Sequence, residues 1–280
     1  MVDKTFSLAL SFISQEPEAA ARTLEHSKVA DVVEFMRQIP LDHQYEILRH
    51  LLPGYAARVC MGLGPVASAT ILVDLDATAA ARILRLLPRP QMEAILLELP
   101  RRQRDDSAAL LKYSIRFVGA WMTPHTASVP EEMSAEDALT YLRNENLTQE
   151  SGYFYVINHD HVLSGRVSFV ALLKANRTVR MRDLMEAGAP HLSASMLVET
   201  ALELPLWNQH DTLAVTDRHQ RLLGIIHHAD LRRAMTQGRQ SHSLSSTAPD
   251  VVSSIAGVYG KTLFVLFNNL MNVIEPDLKS

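Results

Sequence analysis

In the first part of the chain, apolar side chains recur at helical spacing in short runs, and prolines cut the runs apart. Pro40, Pro53, Pro65, Pro88 and Pro100 lie thirteen, twelve, twenty-three and twelve residues apart, so one register of about twelve fits if Asp76-Ala77 fills the slot of a missing proline. Proline is tolerated in the first turn of a helix and breaks its interior, so each proline marks a start. The run behind it supplies the buried face: Tyr45, Leu48 and Leu52 in one unit, Ile83, Leu84 and Leu87 in another, Ile95, Leu96 and Leu99 in a third. Helices of two to three turns are too short to hold themselves in water. They must stack on neighbours, and the expectation is a right-handed superhelix of short helices over residues 1–112.

From residue 118 on, the pattern changes to helical stretches alternating with short β-rich runs. YFYVINHDHVLSGRVSFVALL (153–173) and DTLAVTDRHQRLLGIIHHADLRR (211–233) align at a constant offset of fifty-nine residues, setting Val156 on Val215, Leu163 on Leu222, Gly165 on Gly224 and Leu172 on Leu231. In each copy a β-branched and aromatic strand enters a polar turn, Asn158 to His161 or Asp217 to Arg221. A second strand then passes through the aligned glycine and a helix closes the unit. Upstream, Ala138-Leu139 matches Ala201-Leu202 inside a preceding helix, and Trp121-Met122 and Leu184-Met185 mark where each copy begins.

Composition narrows the class. A chain of 280 residues exceeds one ordinary domain, and 47% hydrophobic with 21% charged residues is the balance of a globular protein. A net charge of -4 gives no electrostatic reason for nucleic acid as a partner. Cys60 is the single cysteine and has no internal partner for a disulfide, which fits a reducing compartment. The N-terminus lacks the form of a secretion signal, so a cytoplasmic location is expected, at most peripheral to the inner membrane. The stretch 238–250 is rich in Ser with Gly and Pro and reads as a flexible linker. Residues 251–275 read as an amphipathic helix, with Val252, Ile255, Tyr259, Leu263, Leu266, Leu270 and Ile274 at helical spacing. Lys261, Asn268 and Asn269 make that segment a poor membrane span, so no transmembrane span of the chain's own is expected.

The motifs AWMT (120–123), RDLM (182–185), SGRVSFVALL (164–173) and LGIIHHADLRRAM (223–235) together resemble a tandem pair of CBS domains. The twelve-residue prolyl-helical repeats in front, running into LLKYSIRFVGAWMT, resemble the N-terminal domain of MgtE-type magnesium transporters, which in that family precedes such a pair. The fold class expected is α followed by α/β. The helical superhelix occupies 1–112, CBS domain 1 spans 113–178, CBS domain 2 spans 179–237, and the linker and C-terminal helix follow. The resemblance implies the cytosolic, gate-controlling part of a magnesium channel, where magnesium between acidic domain faces and adenine nucleotide in the CBS pair are the regulators. The family continues into a multi-span membrane domain, whereas this sequence ends after one further helix, so the expectation is a part that lacks the transmembrane domain.

In nucleotide-binding members of the CBS family, the second strand ends in Gly-x-x-Ser/Thr with an Asp three residues on, and hydroxyl and carboxylate together hydrogen-bond a ribose. Copy one has Ser168 but Ala171 at the Asp position, and copy two has Gly224 and Asp230 but His227 at the hydroxyl position. The candidate nucleotide-binding residues are therefore Ser168, Gly224, His227 and Asp230. Ser168 and Asp230 read equally as helix caps. Acids available to Mg2+ are Asp74, Asp76, Glu93, Glu98, Asp105, Asp106, Glu131, Glu132, Glu136 and Asp137, with Ser134 and Asp137 also reading as a capping pair. No metal ligand set is assignable among them. His159-Asp160-His161 falls at a hairpin tip and reads as turn chemistry.

No nucleophile elbow, phosphate loop or zinc-spaced Cys/His set occurs, so no enzyme is expected. The function expected is a non-catalytic regulatory sensor of magnesium or an adenine nucleotide (ATP, ADP or AMP), homodimeric through its CBS modules and acting on a membrane transporter or another protein partner. The alternative is a helical-repeat scaffold whose CBS pair only dimerises and no longer binds ligand.

Overall fold

The computed structural model describes residues 2–124, 126–144 and 152–242, which fall into two compact units divided between Ser107 and Ala108. The first unit is built from α1 (Val2–Gln15), α2 (Pro17–Leu24), α3 (Val29–Gln38), α4 (Leu41–His50), α5 (Pro53–Leu63), α6 (Pro65–Leu72), α7 (Ala77–Leu84), α8 (Arg89–Glu98) and the start of α9 (Arg101–Leu111). Helices two apart pack against each other, α2 on α4, α4 on α6 and α6 on α8 in one layer, α3 on α5 and α5 on α7 in the other. The prolines stand where helix starts demand them: Pro53 and Pro65 open α5 and α6, and Pro40 and Pro88 are the N-caps of α4 and α8. Asp76 takes the vacant slot, with backbone angles (φ -59°, ψ 151°) matching those of Pro40 (φ -58°, ψ 153°), and its carboxylate accepts the Ala79 N–H at 2.8 Å.

A second register runs beside the prolines. Ile39, Leu51, Leu63, Leu75, Leu87 and Leu99 recur every twelve residues, and all are buried. Each sits two residues before the next helix begins, so a branched aliphatic side chain is buried at every turn of the stack. Burying one such side chain contributes roughly 1.5–3 kcal/mol. This register corrects one expectation: Leu52 is 50% exposed and Leu51 is the buried residue. Leu52 is the N-cap of α5 in extended backbone, so the helical period that links Leu48 to Leu52 stops one residue short. Ile83, Leu84, Leu87, Ile95 and Leu99 are buried as expected.

The second unit holds two four-stranded sheets. β2 (Ser128–Pro130), β3 (Tyr153–Ile157), β4 (Leu163–Ser168) and β5 (Glu186–Ala187) form one, in that order. The other runs β1 (Thr123–Pro124), β8 (Leu222–His227), β7 (Thr212–Thr216), β6 (His191–Ser193). Helices α10 (Ala135–Asn144), α11 (Phe169–Lys174), α12 (Met181–Leu184), α13 (Val198–Leu202) and α14 (His228–His242) complete the unit. Each copy lends its first strand to the other: β1 pairs with β8, and β5 pairs with β4. The exchange obeys a pseudo-twofold. Val118 N–H donates to Met196 O and Met181 N–H to Met133 O, both at 2.9 Å, a pair of bonds related by an offset of sixty-three residues. On the axis, Leu163 N–H donates to Gln220 O (2.9 Å) and Leu222 N–H to His161 O (3.0 Å), related by fifty-nine.

The two hairpin tips are built alike. Asn158 Oδ1 accepts from the N–H groups of Asp160 and Val162, Asp217 Oδ1 accepts from those of His219 and Arg221, and His161 and Gln220 share the left-handed φ of 62°. His159-Asp160-His161 is therefore turn structure. Gly165 and Gly224 lie where the exchanged strands cross: a Cβ on Gly224 would stand 2.2 Å from the Thr123 carbonyl oxygen, and one on Gly165 2.6 Å from that of Glu186.

The last described helix, α14, runs to His242, five residues into the stretch expected as linker, because no helix breaker follows Gly238 within it and extending a formed helix costs little. The expected helix over 251–275 lies outside the described residues. Among the described residues no helix is long and apolar enough to cross a membrane.

Candidate functional site between the duplicated copies

The two sheets face each other across a small apolar centre of Tyr155, Ala189, Ala214 and Ile225, with Leu163 and Leu222 at its margin. Positions related by the duplication meet here: Tyr155 corresponds to Ala214, Arg166 to Ile225, and Leu163 to Leu222. Tyr155 and Arg166 are register partners on neighbouring strands, so both project from the same face. The two facing surfaces are consequently unlike. Copy one contributes a phenol and a guanidinium where copy two contributes a methyl group and a branched alkyl.

Arg166 joins the copies. Its guanidinium lies 4.3 Å from the centroid of the Tyr153 ring, Nε donates to Glu186 Oε2 at 3.1 Å, and Nη1 stands 3.4 Å from His210 Nδ1. Tyr153 belongs to β3 of copy one, whereas Glu186 opens copy two on the exchanged strand and His210 precedes its strand β7. The Arg166 side chain is 15% exposed, against 61% for Glu186. Burial pushes the Tyr155 hydroxyl up to about 12, an effect that the neighbouring Arg166 charge partly opposes. That tyrosine stays neutral at physiological pH.

The four residues expected at the nucleotide site have separate surroundings. Ser168 is the N-cap of α11, where its hydroxyl accepts the Ala171 N–H at 3.0 Å, and it is paired in register with Tyr153. Gly224 faces the backbone of β1. His227 Nδ1 lies 2.8 Å from the Thr212 hydroxyl, and Thr212 is two residues along from His210, which places this edge of copy two beside Arg166. Asp230 sits in the first turn of α14 and pairs with Arg233 at 3.1 Å. Arg166, Tyr153, Glu186 and His210 escape the sequence reading. The available signal is the duplication itself, which sets an arginine against an isoleucine in the middle of a strand.

Six of the ten acids considered for Mg2+ are held by other groups. Asp76 caps α7, Glu93 pairs with Arg89 at 2.7 Å, and Glu131 accepts from the Ser164 hydroxyl at 2.9 Å. Glu132 bonds Arg180 and Arg182, Glu136 pairs with Arg177, and Asp137 forms the expected capping pair with Ser134 at 2.6 Å. Among the described residues no three His, Cys, Asp or Glu side chains come together as a metal-holding group.

A duplicated β-β-α unit that exchanges its first strand around a pseudo-twofold and follows a two-layer helical stack defines a CBS pair behind a helical-repeat domain. Residues 15–116 match the MgtE intracellular N domain, and residues 118–177 and 181–237 match the CBS domain, so the chain carries an MgtE intracellular N domain followed by a CBS pair. The magnesium transporter MgtE of Thermus thermophilus is 28% identical over 160 residues, which is 56% of this chain and 36% of that protein. An uncharacterized protein of Bacillus subtilis, YtoI, is 24% identical over 144 residues, 51% of this chain and 32% of that one. The chain thus spans about a third of the length of these curated relatives. Among solved structures, the cytosolic domain of the Mg2+ channel MgtE in complex with ATP superposes with a TM-score of 0.59 at 24% identity, covering 80% of this chain and 96% of that one. The soluble part of a magnesium transporter gives a TM-score of 0.58 at 18% identity, covering 85% and 99%. At these identities the likeness establishes the fold.

Proposed function

We propose that this protein is a non-catalytic regulatory module whose CBS pair senses an adenine nucleotide in the cleft between its two copies. The observation that carries this reading is the mostly buried Arg166, held against Tyr153 and reaching the copy-two residues Glu186 and His210. A cation seated among aromatic and imidazole groups suits a ligand that has a flat base and a phosphate. A solved relative of the same fold carries ATP. A ligand that touches both copies stabilises the arrangement in which they close on it, and shifts the population toward that arrangement. The nucleotide would stack on the tyrosine face and meet the guanidinium, while His227 would offer a ring N–H at the copy-two edge.

The module works as a homodimer through the CBS copies and passes its state to a transporter of the MgtE kind or another protein partner. Magnesium enters this reading through kinship with a magnesium transporter and through the charge of a nucleotide's phosphates, with no set of ligands in the described chain. Calorimetry and thermal shift against ATP, ADP and AMP, each with and without Mg2+, test the proposal. At a nucleotide concentration a hundredfold above Kd, linkage predicts about 2.7 kcal/mol of stabilisation and a corresponding rise in Tm. Absence of heat and of any shift at millimolar nucleotide overturns it. Sedimentation as a monomer at micromolar concentration overturns the homodimer.

One observation favours a second reading, a scaffold whose CBS pair no longer takes ligand: the Ser168 hydroxyl accepts a helix-capping N–H, and Asp230 is paired with Arg233. The same titrations decide between the two.

A further inference from the structure

We infer that Arg166 is the phosphate-reading residue of the cleft and that Glu186 holds its place until a nucleotide arrives; the inference rests on the nucleotide-sensing reading above. The duplication supplies an internal control. The equivalent position in copy two is Ile225, buried at the apolar centre with Tyr155 and Ala214, so the fold needs only an apolar side chain at this point of the strand. A guanidinium there is costly to desolvate unless it is paired. It is paired in a way that an incoming anion can replace. Its carboxylate partner, Glu186, is 61% exposed and lies on a two-residue strand at the edge of the sheet, so water competes for that ion pair. Its contact with His210 Nδ1, at 3.4 Å, is longer and weaker than the bond to Glu186.

The position is also directional. Stacking on Tyr153 fixes the plane of the guanidinium, and Tyr153 is the register partner of Ser168 at the end of β4. A nucleotide whose phosphate meets Arg166 therefore keeps its sugar and base toward the strand ends where Ser168 and His227 lie. Copy two has no cation at the matching strand position, so the cleft reads one phosphate chain, from the copy-one side. The ligand class is thus an adenosine phosphate in a single orientation, and adenosine itself lacks the group that Arg166 recognises. Phosphate binding and the Glu186 pair compete for the same donors.

The test is calorimetric titration of the full chain with ATP and with adenosine, using wild type, R166I, R166K and E186Q, with a thermal melt of each variant as a check on folding. R166I copies the residue already present at position 225. It is expected to weaken ATP roughly ten- to a hundredfold, the span lost with a charge-assisted hydrogen bond, and to leave adenosine affinity unchanged. R166K should recover part of the ATP affinity. E186Q, which removes the competing carboxylate without changing shape, should tighten ATP by up to about fivefold. Equal ATP affinity in wild type and R166I overturns the inference while sensing stands, and so does an equal loss for ATP and adenosine. Should R166I not fold, unchanged ATP affinity in both R166K and E186Q overturns it. Wild type that binds neither ATP nor adenosine at millimolar concentration overturns the nucleotide reading itself.

Discussion

Replacing Gly224 by alanine tests the exchanged-strand architecture at its tightest point. The added Cβ would stand 2.2 Å from the Thr123 carbonyl oxygen, 3.0 Å from its carbonyl carbon and 3.1 Å from Pro124 Cα, all backbone atoms of β1. Heavy atoms in contact prefer about 3.5–4.0 Å, so strand β1 has to retreat by roughly an ångström or more. It cannot do so without loosening both of its register pairs, Thr123 with Ile225 and Pro124 with Gly224. Overpacking of this kind costs about 1–3 kcal/mol. The lower chain entropy of alanine in the unfolded state returns about 0.4–1 kcal/mol. The net loss should lower the midpoint of thermal unfolding by roughly 3–10 °C, followed by circular dichroism. Gly165→Ala should cost less, because its close neighbours at 2.6 and 2.9 Å are the Glu186 carbonyl oxygen and the movable Met185 sulfur. Gly54→Ala is the control of opposite sign. Gly54 is helical and exposed with nothing within 4 Å of its added Cβ, so the change should stabilise by about 0.5–1 kcal/mol. A Gly224→Ala protein that melts at or above wild type would refute the close approach of β1 and β8.

Further outcomes are expected at three residues. Cys60 is fully buried and its thiol is pushed up to about 11 by that burial, so Ellman's reagent should leave the native protein untouched at pH 8 and modify one thiol in concentrated guanidinium. The raised thiol favours the protonated native form, so its contribution to stability is complete below the ordinary thiol value and falls as pH rises toward about 11; Cys60→Ala should flatten that part of an alkaline denaturation curve. Asp76→Ala removes the cap of α7 and should cost about 1 kcal/mol in a urea titration, with Asp76→Asn keeping most of the stability. Ser168→Ala removes the cap of α11 and should also cost about 1 kcal/mol. If the hydroxyl only caps, its nucleotide affinity stays at the wild-type value, and a tenfold loss would instead assign Ser168 to the ligand.

Local pattern settled much of this protein. The prolines and Asp76 mark helix starts because steric exclusion from a helix interior, and the need to satisfy the first free N–H groups, act within a few residues. The constant offset of fifty-nine residues exposes the duplication, because two copies of one fold require the same strand, turn and glycine at the same places. Leu52 shows the limit of periodicity: a helical repeat cannot be carried across a turn whose backbone is extended.

Tertiary structure decided the rest. Strands β1 and β5 are two residues long and have no pattern of their own, and only the fold shows that each completes the sheet of the other copy. That exchange explains Gly165 and Gly224, whose missing side chains make room for a backbone distant in sequence. It also gathers Tyr153, Arg166, Glu186 and His210 from four separate stretches of chain. The energy of a buried cation depends on which partners surround it, and those partners are set by long-range strand pairing, which leaves no periodic trace in the residues themselves.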